Sequence, residues 1–511
     1  MKKNEILSNI TVEKLILGGT GLATDPTSGK RIIISGGAIP GSVVDIRVVK
    51  NRSNRIEGQI LNVVKKSPLE ASLPEHFQVY GGCRWLPIPY EEQTKIKEQQ
   101  IREVFHHVPE LTKNTAWHPI QASPEIHGYR NKVEFSWGKY ISGREGIHAE
   151  YRFGFHAAGQ FDRIVDCSYC VLGDEITNTL FHIFDQFARE SRLPTYDTKM
   201  YQGFWRHLVI RRGKKTNETM VILSVNTHFL GEKTDSVVED FRIALKSLIH
   251  IFEEKKITVD SFYLLHNTGR ADIVQGDYEL ISGSPTISEK LFDLTFDISP
   301  RSFFQTNTLG AEVLYKTTQE LIQTKNPIIF DLYAGTGTIG MIVAGQAQKV
   351  YSVEIVASAS EDNVRNLEKN TIKNVEVINA PVEDFLKEWK NKSYSHPPRR
   401  NSHRIEFDIN SQKKNTIQLG TLNSELGTGE APDVIIIDPP RAGMHPDAPS
   451  IIREFLPKEI IYVSCNPATL ARDLIILCGE NNYTLTDIVP VDMFPHTHHI
   501  ETIVRLEKQE I

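Results

Sequence analysis

The sequence predicts an α/β protein in three parts: a small N-terminal β-barrel, an α+β middle domain and a C-terminal domain with a doubly wound parallel sheet. Three observations carry that reading. The 511-residue length exceeds what one core supports, and ~150 residues per domain gives roughly three domains. Short β-rich runs crowd the first 68 residues. After Pro300, strand-like runs alternate with helical ones, the pattern of a parallel sheet covered on both faces. The predicted parts are residues 1–68, 69–300 and 301–511.

In the first part, Arg31–Ser35, Ser42–Val49 and Ile56–Val64 read as strands, separated by turns such as Gly18-Gly19-Thr20-Gly21 and Gly36-Gly37. The whole chain carries a formal charge of -6, a weak argument against a nucleic-acid partner. Met1–Pro68, however, holds eleven Lys and Arg against five Asp and Glu. That asymmetry predicts an RNA-facing module, with a structural barrel bearing a solvated basic face as the alternative.

Glu91–His107 lacks Gly and Pro and predicts a surface helix, as does Glu175–Glu190. Between them, His127–Phe135 alternates as a strand carrying Arg130 and Lys132, which suit phosphate contact or an ordinary solvated face. In the last part, Ile328–Leu332, Lys349–Glu354, Val375–Asn379, Val434–Asp438 and Ile460–Ser464 read as buried strands. Lys390–Pro432 is polar and predicts an insertion with no core of its own. No apolar run approaches the ~18 residues that cross a bilayer, and polar residues follow Met1-Lys2-Lys3. A cytoplasmic protein with no membrane partner is expected, and no obligate protein partner is implied. Cys83, Cys167, Cys170, Cys465 and Cys478 are too few and scattered for a disulfide framework.

The run Ile328–Gly340 ends a hydrophobic strand in Asp331-Leu332-Tyr333-Ala334-Gly335-Thr336-Gly337, and glycines there let a ligand approach the backbone. One strand later, Glu354 is positioned to accept hydrogen bonds from two ribose hydroxyls. The turn also satisfies a dinucleotide fingerprint, so a hydride-transfer enzyme survives this test. Asp331 at the strand end favours the sulfonium of S-adenosylmethionine over a pyrophosphate, unless it merely caps the turn.

Two further groups carry chemistry. Cys465, in Tyr462-Val463-Ser464-Cys465-Asn466-Pro467, follows a strand and precedes a helix, whose N-terminus is expected to lower its pKa and raise its thiolate fraction. Glu501 is a carboxylate candidate just beyond His496, His498 and His499, a trio without the matched ligand set of a zinc site. Asp438, in Asp438-Pro439-Pro440-Arg441, ends another strand and faces the same crevice. Cys478 lies in an apolar stretch and has no such setting.

Ser302-Phe303-Phe304-Gln305-Thr306-Asn307, Asp331–Gly337, Asp438-Pro439-Pro440-Arg441, Ser464-Cys465-Asn466-Pro467 and His499-Ile500-Glu501 together resemble the bacterial RNA 5-methyluridine methyltransferases. Thr11–Lys66 is similar to the TRAM RNA-binding barrel of the 23S ribosomal RNA members, and Tyr129-Arg130-Asn131-Lys132 matches a middle-domain motif. The resemblance implies a Rossmann-like class I methyltransferase domain that methylates carbon 5 of a uridine. By motif, Gln305, Tyr333, Glu354 and Asp438 would contact S-adenosylmethionine, Cys465 would add to uracil carbon 6, and Glu501 would remove the carbon-5 proton. It favours 23S ribosomal RNA, with the transfer RNA T-loop or a non-catalytic RNA-binding role as alternatives. Many such members hold a [4Fe-4S] cluster on four Cys. Here Pro74 and Tyr80 stand where two thiolates would be, leaving Cys83 and Cys170, so no cluster is expected.

Overall fold

The computed structural model describes residues 3–77, 79–141, 149–157, 160–231, 235–394, 430–479 and 482–509. The insertion expected over Lys390–Pro432 falls mostly on residues 395–429, outside the described ones. The chain forms two compact units, one of Met1–Gln100, Pro124–Ile287 and Phe494–His499, the other of Ile101–Ser123, Ser288–Met493 and Ile500–Ile511.

The first unit begins with β1 (Ile6–Thr11), β2 (Lys14–Ile16), β3 (Thr20–Thr24), β4 (Arg31–Ser35), β5 (Val43–Asn51) and β6 (Arg55–Lys65), in the order β1-β5-β6-β4-β3-β2. Alternation sets its core: on β5, Val44, Ile46 and Val48 are buried while Arg47 and Val49 face out. The helix α1 (Tyr90–Phe105) follows, and the short strand β7 (Ala116–Trp117) belongs to the second unit.

A second sheet of the first unit comprises β8 (Lys132–Ile141), β9 (Ala149–Ala157), β10 (Gln160–Asp166), β11 (Trp205–Arg212), β12 (Thr219–Val225), β13 (Ser261–His266) and β14 (Asp277–Gly283). Its order is β10-β9-β8-β11-β12-β13-β14, with only β12 and β13 running parallel. The helices α2 (Glu175–Ser191), α3 (His228–Gly231) and α4 (Asp235–Glu254) complete it. Asp174 caps α2 by accepting the Thr177 N–H at 2.9 Å. Stacked rings fill the space beneath, Trp137 on Phe153 at 4.1 Å and Phe153 on Phe181 at 4.4 Å.

After β7, the second unit continues with the hairpin of β15 (Ile287–Leu291) and β16 (Leu294–Ile298), then α5 (Thr308–Glu320). The alternating region is β17 (Ile328–Leu332), α6 (Thr338–Val343), β18 (Lys349–Glu354), α7 (Ala357–Lys369), β19 (Val375–Asn379), α8 (Val382–Tyr394), β20 (Val434–Ile437), α9 (Ala448–Glu454), β21 (Glu459–Ser464) and α10 (Pro467–Leu477). It closes on β22 (Tyr483–Val491) and β23 (Glu501–Lys508). The sheet order is β19-β18-β17-β20-β21-β23-β22-β7, parallel from β19 to β21, with β23 antiparallel to β21. This is the predicted Rossmann-like α/β architecture. Strand order reverses between β17 and β20, and in such sheets ligands bind outside the carboxyl ends at that point. No helix among the described residues is long and apolar enough to cross a membrane.

Candidate active site

The parallel strands bring chemistry to one edge of the second unit. Leu332 pairs with Val353 and with Ile437, and Ile437 pairs with Tyr462. The residues just past those pairs, Tyr333, Glu354 and Asp438, therefore stand in a row at the carboxyl ends of β17, β18 and β20. Cys465 directly follows β21, two residues beyond that row. Ser464 pairs with Thr502 in the antiparallel β21–β23 ladder, Cys465 and Glu501 are the next residues on the two segments, and the Glu501 carboxyl acts electrostatically on the thiol.

The glycine turn forms one half of the site. Tyr333, Gly335 and Gly337 have φ of +62°, +55° and +76°, left-handed values that glycine adopts freely and tyrosine does not. A Cβ at Gly337 would overlap the Asn363 amide, whereas one at Gly335 would meet nothing within 4 Å, leaving room for a ligand against the backbone. Glu354 braces the turn: its Oε2 accepts the Gly335 N–H at 2.9 Å and its Oε1 the Val356 N–H at 2.8 Å. Each carboxylate oxygen keeps a second lone pair for a hydroxyl. Tyr333 donates its hydroxyl to Glu383 at 3.2 Å.

Asp331 takes the capping role. Its Oδ2 accepts the Gly340 N–H at 3.1 Å and the Ser352 hydroxyl at 3.0 Å, tying β17 to the first turn of α6 and to β18. Burial raises its pKa to about 7, those two bonds oppose the rise, and Glu354 adds to it.

The other half is a cluster of acids around the thiol. Asp438, at the carboxyl end of β20, is partly exposed to solvent. Its pKa is pushed up to about 7 by burial and then by Asp331. Glu501 is buried, and burial together with Asp438 holds its carboxyl well above the usual range, against the pull of Arg441. Cys465 is half-buried and corrects the sequence expectation. Its pKa rises to about 11, through burial first and then Glu501, with Arg441 opposing and Asp438 adding to the rise. Asn466 is the true cap of α10, accepting the Ala468 N–H at 3.2 Å, but the helix terminus is outweighed by desolvation and two facing acids.

Gln305 sits on the turn before α5, whose cap Asn307 accepts the Gly310 N–H at 2.9 Å and donates to the Met493 carbonyl at 2.9 Å. Its side chain bonds the Tyr315 hydroxyl. Tyr315 is a site residue the sequence did not announce. It is fully enclosed on α5, and burial followed by Asp438, Glu501 and Asp331 raises its pKa far above the ordinary phenol value. Phe303, two residues before Gln305, leaves 66% of its surface exposed.

The motif His499-Ile500-Glu501 is divided, with His499 in the first unit and Glu501 in the second. His496 is spent within the first unit: its Nδ1 lies 3.0 Å from Gln93 Nε2 and its ring stacks on His127. Burial, His127 and Lys97 lower its pKa to about 3. Cys83, Cys167 and Cys170 are buried together there, each thiol held neutral chiefly by burial. The Tyr80 hydroxyl lies 2.9 Å from Cys170 Sγ, and its ring stacks on Phe155 at 4.0 Å. Three thiols and a phenol do not match the four thiolates of a [4Fe-4S] cluster.

A glycine turn open to a ligand, on the same strand ends that carry a thiol and a carboxylate, suits methyl transfer to a base, and the chain is an S-adenosylmethionine-dependent RNA methyltransferase by its relatives. An uncharacterized RNA methyltransferase of Caldanaerobacter subterraneus subsp. tengcongensis is 33% identical over 510 residues, spanning 99% of this chain and 100% of that one. Another from Bacillus cereus is 30% identical, spanning 100% and 98%. The structure of Pyrococcus abyssi tRNA (uracil-54, C5)-methyltransferase, in complex with S-adenosyl-L-homocysteine, is 25% identical with a TM-score of 0.67, covering 98% of this chain and 100% of that one. The family model described as tRNA (uracil-5-)-methyltransferase matches residues 237–509. The chain belongs to that family and is an RNA uracil-5 methyltransferase.

Proposed function

We propose that the protein methylates carbon 5 of a uridine in 23S ribosomal RNA through a covalent adduct on Cys465. The observation that carries the reading is that Cys465 and Glu501 directly adjoin the paired Ser464 and Thr502, with Glu501 acting on the thiol. Carbon 5 of uracil is a weak nucleophile. Addition of the Cys465 thiolate to carbon 6 moves the electron pair of the carbon 5–carbon 6 double bond onto an enolate, and carbon 5 becomes reactive. S-adenosylmethionine, when bound, supplies the methyl group. The Glu501 carboxylate then takes the carbon-5 proton, the double bond re-forms and the thiolate leaves.

Gln305, Tyr333, Glu354 and Asp438 hold the cofactor, Glu354 through ribose hydroxyls and Asp438 through attraction of its carboxylate to the cofactor's positive charge. A sulfonium and ammonium near Asp438 and Glu501 favour the ionised carboxylates, so cofactor binding and formation of the base are coupled. The exposed Phe303 ring suits stacking on a base. The TRAM-like barrel of residues 1–68 and the middle domain of residues 69–300 grip RNA, residues 301–511 perform the chemistry, and the buried thiols of the middle domain hold no cluster.

The basic barrel supports ribosomal RNA. The Pyrococcus abyssi relative, which acts on a transfer RNA uridine, supports the T-loop as the second reading. Incubating the protein with methyl-tritiated S-adenosylmethionine and unmodified 23S ribosomal RNA or transfer RNA, then identifying the labelled nucleoside, separates them. Labelled 5-methyluridine in 23S RNA is expected; label in transfer RNA alone would transfer the assignment, and label in neither would remove it.

A further inference from the structure

Two neighbouring loops of the first unit present a surface that none of the chemistry above uses. The first runs from Asp197 to Gln202. Asp197 Oδ1 accepts the N–H groups of Lys199 at 2.9 Å and Met200 at 3.0 Å, and its carbonyl accepts the Tyr201 N–H at 2.7 Å. The Asp197 N–H donates to the Gln202 carbonyl at 2.7 Å, closing the turn. Tyr201 is thereby held at φ +56°, a left-handed value that a bulky residue adopts only under constraint. At the tip, Met200 and Tyr201 are exposed.

The second loop spans Asn267–Ile273 and is held from inside. The Arg206 guanidinium is buried, stacks 4.0 Å over the Tyr196 ring and donates to the carbonyls of Asn267, Gly269 and Ala271. Asp272 is fixed between His156 Nε2 at 3.3 Å and His207 Nε2 at 3.2 Å. The loop tip carries Arg270, whose guanidinium lies 5.2 Å over the Tyr201 ring, and the exposed Ile273.

Both acids of the two loops are thus turned inward, Asp197 onto backbone N–H groups and Asp272 onto two imidazoles. The charges left facing solvent are Lys199 and Arg270. A rigid aromatic face with a guanidinium above it and apolar neighbours binds a nucleobase by stacking, and the two cations suit the phosphates beside it. A folded protein partner would need a much larger apolar area than these few side chains give.

We propose that Tyr201 and Arg270 form a stacking platform for an unpaired base of the RNA substrate, set apart from the uridine that is methylated. This rests on the assignment of the protein as an RNA methyltransferase. The test measures RNA binding by filter retention and methylation kinetics for the full-length protein, with unmodified 23S ribosomal RNA and transfer RNA as probes. Tyr201→Ala and Arg270→Ala are expected to weaken binding and raise the RNA KM about tenfold, leaving kcat and the S-adenosylmethionine KM unchanged, while Tyr201→Phe stays near wild type. A 4-thiouridine-substituted transcript should photo-cross-link to the peptide carrying Tyr201. The proposal is overturned by unchanged binding in both alanine variants at wild-type melting temperature, by Tyr201→Phe losing as much as Tyr201→Ala, or by cross-links confined to other peptides. Should neither RNA be methylated by the wild type, the 23S assignment fails by itself, and the binding and cross-linking arms still decide on the platform.

Discussion

Titrating S-adenosylmethionine into the protein between pH 6 and pH 8 interrogates Asp438. Its carboxyl is held up to about 7 by burial and by Asp331, and it faces Glu501 and Tyr315 in the same enclosure. The sign follows from charge. A cationic ligand binds the ionised carboxylate better than the neutral acid, so affinity rises as pH climbs through 7. With a pKa near 7, about one molecule in eleven is ionised at pH 6 and about ten in eleven at pH 8, so the dissociation constant should fall roughly tenfold across that range. Calorimetry in two buffers of different ionisation enthalpy should show close to one proton released per ligand at pH 6 and few at pH 8. Asp438→Asn should flatten the profile and weaken binding at pH 8. The same raised pKa has the opposite sign for folding: its stabilising contribution is present below the ordinary carboxylate range and is lost as pH rises through 7. Asp438→Asn should therefore melt higher than wild type at pH 8. A wild-type affinity that is flat from pH 6 to pH 8 would refute a neutral Asp438 in the free protein.

Cys465→Ala should abolish methylation by at least ~10³-fold while RNA affinity, read by filter retention, stays within about twofold; residual turnover near wild type would remove the covalent step. Because Arg441 draws the Cys465 pKa down and Glu501 pushes it up, iodoacetamide should alkylate Cys465 more slowly in Arg441→Ala and faster in Glu501→Gln, with mass spectrometry of the modified peptide as the readout. Equal rates in both variants would mean that neither charge reaches the thiol. Protein purified under anaerobic conditions should be colourless and free of iron by metal analysis, since Tyr80 occupies the side of Cys170 with its hydroxyl. A brown, iron-bearing preparation would show that the three thiols recruit another ligand.

The edge of the parallel sheet was legible because buried strands announce themselves. Ile328–Leu332, Lys349–Glu354 and Val375–Asn379 have the predicted bounds, and glycine or proline turns mark where Tyr333 and Asp438 emerge. What faces what was not legible. Cys465 and Glu501 lie far apart in sequence and meet only through the register of the antiparallel strand that follows β22. The sign of the Cys465 shift was misread for the same reason: the local signal was a helix start, and the decisive groups come from other strands. Tyr315 looks like an ordinary apolar position of α5, and only the packing of that helix brings its hydroxyl to Gln305. Asp331 caps the turn through Oδ2, which the Gly340 N–H and the Ser352 hydroxyl reach from α6 and β18.

The most direct test of the covalent account is to mix Glu501→Gln protein with unmodified RNA and S-adenosylmethionine and to resolve the products on a denaturing gel. Removing the base leaves proton abstraction blocked after methyl transfer, so a slow-migrating protein–RNA species should accumulate, and nuclease digestion should leave a methylated uridine on the Cys465 peptide. Free RNA carrying finished 5-methyluridine at the wild-type rate, with no adduct, would contradict the assignment of Glu501 as the base opposite Cys465.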